Sequence, residues 1–176
     1  MARNRQTLGK ARSRARERAL QALYQWQHTG QSGADIERQF LPEAADAGDS
    51  EALDPDRDTE LEDALDMSDT DIALFRELLH GVLDRMEDWD ERIAPHLDRA
   101  IRSLDPTERL ILRLGAFELS ERIDVPYRVV INEYVELAKR FGGQDGYKYI
   151  NGVLDKVARG FPLREAEIAA RGRSAP

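Results

Sequence analysis

The chain has no cysteine, only three histidines and few aromatic residues, which make up 7% of its 176 residues. Without cysteine it has no disulfide framework, no thiolate nucleophile and no cysteine-bound zinc, which fits a reducing, cytoplasmic environment. No apolar run approaches the length of a membrane span, because even residues 110–117 are interrupted by Arg113. The N-terminus also lacks the apolar core of a secretory signal.

Patterns that are typical of catalytic or metal sites are incomplete. Glu77 and His80 have the spacing of half a helical di-iron site, but no second Glu-x-x-His pair exists. The glycines between Gly142 and Gly146 are not a P-loop, because no Lys-Ser or Lys-Thr pair follows them. We therefore expect a protein that is not an enzyme and that needs no cofactor or metal.

The charges are sorted along the chain. Seven basic residues and one acid occupy the first eighteen positions, a net of +6, whereas the whole chain carries −8. A basic segment on an acidic body is typical of a protein that binds a polyanion, most often a nucleic acid. We predict that Lys10, Arg12, Arg14, Arg16 and Arg18 contact phosphates. The alternative is a solvated tail, but the last of these residues run directly into a helical pattern.

Apolar residues recur at helical spacing, and no alternating β pattern is present. The spacing predicts helices near 11–28, 35–41, 72–86, 89–97, 105–119, 124–141 and 145–157. Ser68 or Asp69 is the expected cap of the third. Asp105, followed by proline and by a glutamate three positions on, is a strong helix start. The fold class is therefore all-α, with about seven helices.

The domain organisation follows from composition. We expect one helical domain over residues 11–162, a flexible basic arm at 1–10 and a flexible tail at 163–176. Residues 43–71 hold thirteen acids and one base and few large apolar groups. Such a stretch cannot bury enough surface to compensate its ordering entropy, so 43–66 is predicted to be a loop or disordered insertion. A solvated linker is favoured over an acidic mimic of nucleic acid.

Several motifs resemble the NusB family of bacterial transcription antitermination factors. They are RARERALQALYQW at 14–26, LSER at 119–122, DVPY at 124–127, VINE at 130–133, ELAK at 136–139 and YINGVLDK at 149–156. The motifs follow in order along most of the chain. The sequence departs from the family pattern in its longer acidic insertion and its extended N-terminus.

The resemblance implies a compact fold of two small helical bundles. It also implies a heterodimer with the ribosomal protein NusE that binds boxA RNA and helps RNA polymerase read through terminators, especially in rRNA operons. Tyr24 and Glu108 match family positions that bind this partner. From the residues alone, Tyr24 could instead belong to the core, and Glu108 could be only a capping-box acid.

A second part of the RNA site is expected at the start of the last predicted helix. Lys148 supplies charge, and Tyr149 supplies a ring on which an unpaired base can stack. The apolar stripe that begins at Ile150 is expected to face the core, so Tyr149 should be at least partly exposed. The alternative is that Tyr149 packs at the edge of the core. Asp145 is predicted to cap the helix and to oppose RNA by its charge.

Two other functions remain open from the sequence. NusB-like domains also direct a ribosomal RNA cytosine methyltransferase to its substrate. That enzyme would need a nucleotide-binding α/β domain and a catalytic cysteine, and neither is present in these 176 residues. A protein-only interaction module would leave the basic segment without a role.

Overall fold

The computed structural model describes residues 2–41 and 66–173, and within them it contains eight α-helices and no β-strand. The helices are α1 (Ala2–Thr29), α2 (Gly33–Phe40), α3 (Ile72–Asp84), α4 (Met86–Ile93), α5 (Pro106–Glu121), α6 (Tyr127–Phe141), α7 (Gly146–Arg159) and α8 (Pro162–Gly172). Two short 3₁₀ turns, Ala94–His96 and Ile101–Ser103, join α4 to α5. The all-α prediction is confirmed, with one helix more than expected. None of the helices in the described ranges is long and apolar enough to span a membrane.

The helix ends follow local signals in the sequence. The Asp105 carboxylate accepts hydrogen bonds of 2.9 and 3.1 Å from N–H groups in the first turn of α5, as predicted. The cap of α3 is Asp71, not Ser68 or Asp69, because only Asp71 is adjacent to the first helical residue. Gly30 adopts φ 68°, the left-handed conformation that commonly ends a helix, and α1 stops there.

Helix α5 is the centre of the fold. It contacts α1, α3, α4, α6 and α7, and every residue from position 110 to 119 is buried. Helices α1, α2 and α3 pack against one another, while α7 packs against α4, α6 and α8. The two groups of helices share α5, and this arrangement corresponds to the two small bundles that the family resemblance implied.

A close approach between α3 and α5 depends on Gly81. A Cβ atom at this position would lie 2.1 Å from the Phe117 ring, so only glycine leaves room for that ring. The Trp89 ring packs edge-on against Phe117, with 5.7 Å between ring centroids. Its indole N–H donates a 2.9 Å hydrogen bond to the Gly81 carbonyl, which satisfies the buried donor.

Both ends of the described chain are more helical than the sequence pattern predicted. Helix α1 begins at Ala2, within the predicted arm at 1–10, because a helix nucleated on the core extends readily through residues without proline. Helix α8 occupies most of the predicted tail at 163–176, and its Arg164 is fully buried. The predicted acidic insertion at 43–66 lies outside the described residues except for Asp66.

Candidate nucleic-acid interface

The predicted basic residues of α1 divide into exposed and buried ones. Lys10 and Arg14 are exposed one helical turn apart, and together with Arg140 of α6 they line an open groove between the two helices. Neither Lys10 nor Arg14 has an ion-pair partner among the described residues. Arg12 is partly exposed, with its side chain at 33%, and its Nε atom lies 3.9 Å from the Asp71 carboxylate.

Arg16 lies in the core, where it joins α1 to α5. Its side chain is 3% exposed, and two of its nitrogen atoms donate to the buried Glu118 carboxylate. The Tyr134 hydroxyl of α6 donates to the same carboxylate at 2.7 Å, and the Glu133 carboxylate lies 3.5 Å from Arg16. The prediction that Arg16 contacts a phosphate is therefore wrong, because its guanidinium is already committed inside the protein.

Burial and the Glu118 charge shift the pKa values of both Arg16 and Tyr134. Burial alone would lower the pKa of Arg16, but the hydrogen bond and the charge of Glu118 raise it above its ordinary value. Burial, reinforced by the Glu118 charge, raises the pKa of Tyr134 well above its ordinary value. Both shifts keep Arg16 charged and Tyr134 protonated at neutral pH.

Arg18 is also buried, which contradicts the prediction that it contacts a phosphate. It donates to the Gln21 side chain at 2.8 Å and to the Asp66 carbonyl at 3.0 Å. Residues two positions apart on a helix point about 200° from each other. The basic positions of α1 therefore reach different surroundings, and only the packing of α1 decides which of them face solvent.

The groove beside α1 is not uniformly basic. Glu17, Asp69, Glu133 and Glu136 line it as well. Arg140 donates two hydrogen bonds, of 2.9 and 3.1 Å, to the Glu17 carboxylate. Phosphate binding in this groove therefore depends on Lys10 and Arg14, which are exposed and have no ion-pair partner among residues 2–41 and 66–173.

The predicted partner residue Tyr24 lies on the surface. Its side chain is 46% exposed, which decides against the core alternative. A shallow hollow beside it is lined by Leu20, Gln21, Tyr24, Thr107 and Phe141. Phe141 is 39% exposed and was not identified from the sequence, because its helical spacing placed it on the apolar stripe of α6. The two exposed aromatic rings make the hollow a candidate docking site.

Glu108, which follows Thr107 of this hollow, is turned toward α7. A Cβ atom built on Gly146 would lie only 1.9 Å from Glu108 Oε1, so the carboxylate covers the first residue of α7. A negative charge is favourable at the N-terminus of a helix. Glu108 therefore helps to hold the start of α7 against α5, in addition to any role in binding a partner.

Asp145 and Lys148 form an ion pair at the start of α7. Their charged atoms lie 3.0 Å apart, and both side chains are mostly exposed. Asp145 occupies the position immediately before α7, as predicted, but its side chain makes no hydrogen bond to the helix, and only its backbone carbonyl accepts one, from the Lys148 N–H. Asp145 has a left-handed backbone, with φ 59°, a conformation that aspartate tolerates better than most residues.

Tyr149 is half-buried and tied to the turn before α5. Its hydroxyl donates a 2.9 Å hydrogen bond to the Asp98 carboxylate, and the Arg99 guanidinium lies 5.4 Å from its ring centroid. Hydrogen bonds from Arg99 and then Tyr149 lower the pKa of Asp98 to about 2. Burial and the Asp98 bond raise the pKa of Tyr149. Arg99 was missed from the sequence, because nothing near it in the chain links it to α7.

Glu77 and His80, which have the spacing of half a helical di-iron site, are engaged with other side chains. Glu77 is paired with Arg122 at 2.7 Å, and His80 contacts Glu37 of α2. Among residues 2–41 and 66–173, no cluster of histidine, aspartate and glutamate side chains could hold a metal ion.

The fold and surface define an all-helical protein with exposed cations on α1, a cation at the start of α7, and an aromatic hollow on its surface. The model of the NusB family matches residues 13–159. Transcription antitermination protein NusB of Alkalilimnicola ehrlichii is 54% identical, over 93% of this chain and 92% of its own length. The chain therefore belongs to the NusB family of transcription antitermination proteins.

Two further comparisons agree. Transcription antitermination protein NusB of Halorhodospira halophila is 51% identical, over 93% of this chain and 91% of its own length. The solved structure of T. maritima NusB superposes with a TM-score of 0.60 at 27% identity, over 85% of this chain and 91% of that one. The matches span nearly the whole length of these relatives, so none of the three is a NusB-like domain within a much larger enzyme.

Proposed function

We propose that this protein carries out its antitermination role in the cytoplasm by binding boxA RNA jointly with the ribosomal protein NusE. Through that complex it acts indirectly on the RNA polymerase elongation complex. The observation that carries the proposal is the pair of exposed cations Lys10 and Arg14, which have no ion-pair partner among the described residues, on an acidic member of the NusB family. Such cations stabilise RNA binding because phosphate contacts release counterions.

The RNA site has two parts in this proposal. Lys10 and Arg14, helped by the partly exposed Arg12, contact phosphates along α1. Lys148 contacts a phosphate at the start of α7, and an unpaired base stacks at Tyr149. Asp145 modulates the affinity, because its carboxylate lies 3.0 Å from the Lys148 ammonium and competes with phosphate for it.

Tyr149 supports stacking through its fixed orientation. The Asp98 hydrogen bond holds the ring in place, and the Arg99 guanidinium lies over one face of the ring, 5.4 Å from its centroid. Bases stack on tyrosine rings and on arginine guanidinium planes alike. Arg99 is therefore included in this part of the RNA site.

The NusE partner docks on the hollow around Tyr24 and Phe141 in this proposal. Aromatic residues in desolvated pockets commonly carry much of the binding energy of an interface. Glu108 follows Thr107, which lines the hollow, and in this proposal its carboxylate offers a charge to a basic residue of the partner. Because Glu108 also covers the start of α7, substitutions of Tyr24 give a cleaner test of the interface.

Replacing Tyr149 by leucine should weaken binding to boxA RNA by about 1–3 kcal/mol, because leucine keeps the apolar contact but removes the stacking ring. The measurement is fluorescence anisotropy with NusE present at fixed salt. Tyr149→Phe is the matched control, since it loses the bond to Asp98 but keeps the ring, and it should bind RNA nearly as tightly as wild type. Equal affinities for the two variants would contradict stacking at this position.

Replacing Tyr24 by alanine should weaken the NusE complex by about 2 kcal/mol or more while leaving the melting temperature nearly unchanged. The matched control is Val129→Ala on α6, since Val129 is also 46% exposed but does not line the hollow. Calorimetric titration of both variants with NusE checks the result. A Tyr24 variant that binds NusE as tightly as the Val129 variant would remove the hollow from the interface.

A further inference from the structure

A second groove runs between α6 and α7, and the proposed RNA and NusE sites use only its Lys148 end. Its polar and aromatic lining includes Arg128, Asn132, Tyr147, Lys148, Asn151 and Arg159. The groove is lined by Tyr147 but not by Tyr149, because two positions on α7 are about 200° apart around the helix axis. It is therefore a separate surface that meets the proposed site at Lys148.

The groove is basic on an acidic protein. Three cations and one acid line it, although the chain as a whole carries −8. Asp155 is paired with Arg159 at 3.2 Å and Lys148 with Asp145 at 3.0 Å, so Arg128 is the lining cation without a carboxylate partner among the described residues. Arg128 donates to the Tyr127 hydroxyl at 3.1 Å but remains exposed, so its charge is available to a ligand. This charge distribution favours a polyanionic occupant.

The ring of Tyr147 gives the groove a platform for a base. It is partly exposed, and two ammonium groups lie near it, Lys139 at 5.3 Å and Lys148 at 5.7 Å from the ring centroid. An aromatic ring beside cations is the arrangement with which proteins hold single-stranded nucleic acid, through base stacking and phosphate contacts together.

Two asparagine side chains with free hydrogen-bonding capacity toward the described residues line the same groove. The side chains of Asn132 on α6 and Asn151 on α7 are exposed and make no hydrogen bond to any described residue. A carboxamide offers one acceptor and two donor hydrogens, which match the edges of unpaired bases. An acidic peptide would need the cations of the groove but would have less use for the amides and the ring.

The dimensions suit a short stretch of RNA. Lys148 and Arg159 lie near opposite ends of α7, roughly 16 Å apart along the helix axis at 1.5 Å per residue. At roughly 3.4 Å per stacked nucleotide this accommodates about five nucleotides. Because Lys148 belongs to both surfaces, a strand that leaves the boxA site can enter this groove without a gap.

We propose that the α6–α7 groove binds single-stranded RNA that flanks the boxA element, with Tyr147 stacking a base and Asn132 and Asn151 reading base edges. This inference rests on the proposed function, since the flanking strand is delivered by the boxA site. Arg128 contacts a phosphate of the flanking strand. The groove thus extends the length of RNA that one protein molecule holds.

The test compares two RNAs with the full chain and NusE, one limited to the boxA element and one extended by about six nucleotides at both ends. Wild type should bind the extended RNA roughly 10-fold more tightly. The double variant Asn132→Ala/Asn151→Ala should lose most of that gain and bind the short RNA normally. Arg128→Ala should lower the salt slope of extended-RNA binding by about 0.7 and leave the slope for short RNA unchanged.

The matched control is Lys156→Ala, since Lys156 is exposed on α7 but does not line the groove. It should behave as wild type with both RNAs. Melting temperatures of all variants should agree, because the substituted side chains are exposed. If wild type binds both RNAs equally, or if the groove variants lose affinity for both RNAs alike, the inference is wrong.

Binding of a polyglutamate peptide distinguishes an RNA groove from a site for an acidic protein. The inference is overturned if this peptide binds wild type more tightly than the groove variants while the extended RNA binds no more tightly than the short one. In that case the groove is a protein site. If wild type fails to bind even the short RNA, the proposed function itself fails. That result differs from a failure of the groove alone, in which short-RNA binding persists.

Discussion

Arg16→Ala should destabilise the protein by about 3–5 kcal/mol, because it leaves the buried Glu118 carboxylate without its cation. Glu118 is fully buried, and among the described residues only the Tyr134 hydroxyl would still donate to it in the variant. At roughly 2–4 °C per kcal/mol for a chain of this size, the melting temperature should fall by roughly 6–20 °C. Thermal unfolding followed by circular dichroism measures this change.

Arg14→Ala is the matched control, since Arg14 is the same residue type two positions earlier on α1 but is exposed. It should leave the melting temperature unchanged and lower the slope of log affinity against log salt for boxA RNA by about 0.7. If Arg16→Ala has the same melting temperature as wild type, the buried pair with Glu118 does not stabilise the fold. If Arg14→Ala keeps the full salt slope, Arg14 is not a phosphate contact.

Arg164→Ala should destabilise the protein by about 3–5 kcal/mol, because it removes a buried cation that satisfies three backbone carbonyls. The guanidinium donates to the carbonyl oxygens of Leu119, Arg122 and Val125 at 2.9, 2.8 and 2.7 Å. These groups belong to the end of α5 and to the turn before α6. Without Arg164 they would be left without these partners in a closed environment.

A further contact extends the effect of Arg164 to α6. Arg164 donates to Glu167 at 2.9 Å, and Glu167 accepts the Tyr127 N–H at 3.1 Å, so α8 also orders the first turn of α6. Arg171→Ala is the matched control, because Arg171 is exposed on the same helix and lies 3.8 Å from Glu167. Chemical denaturation should show a lower free energy of unfolding for Arg164→Ala and an unchanged one for Arg171→Ala. Equal stabilities of the two variants would mean that α8 does not hold the α5–α6 turn.

The correct predictions share one property, which is that their signals are local. Asp105 with the proline after it determines the start of α5 through hydrogen bonds within one turn. The apolar spacing of Val130 and Leu137 reports which face of α6 is buried, whatever that face packs against. The family motifs are also contiguous, so the NusB fold could be identified before any contact was known.

The errors arose where the surroundings of a side chain depend on a residue distant in the chain or on a local backbone conformation that the sequence pattern does not show. Arg14 and Arg16 look alike in sequence, and only the position of Glu118, 102 residues after Arg16, separates a surface cation from a core one. Asp145 looks like a helix cap, but the left-handed backbone at this residue leaves its carboxylate paired with Lys148. In both cases the sequence shows the residue type but not the groups that surround its side chain in the fold.

The sequence by itself determined the all-helical class, the NusB family and the concentration of positive charge on α1. These properties depend on spacing and composition, which the chain carries whether or not it is folded. Only the tertiary structure decided which cations reach solvent, that Tyr24 and Phe141 share a hollow, and that Arg164 makes α8 part of the core. Those outcomes depend on how helices rotate and pack around α5, because a helix places neighbouring residues on different faces and brings distant residues into contact.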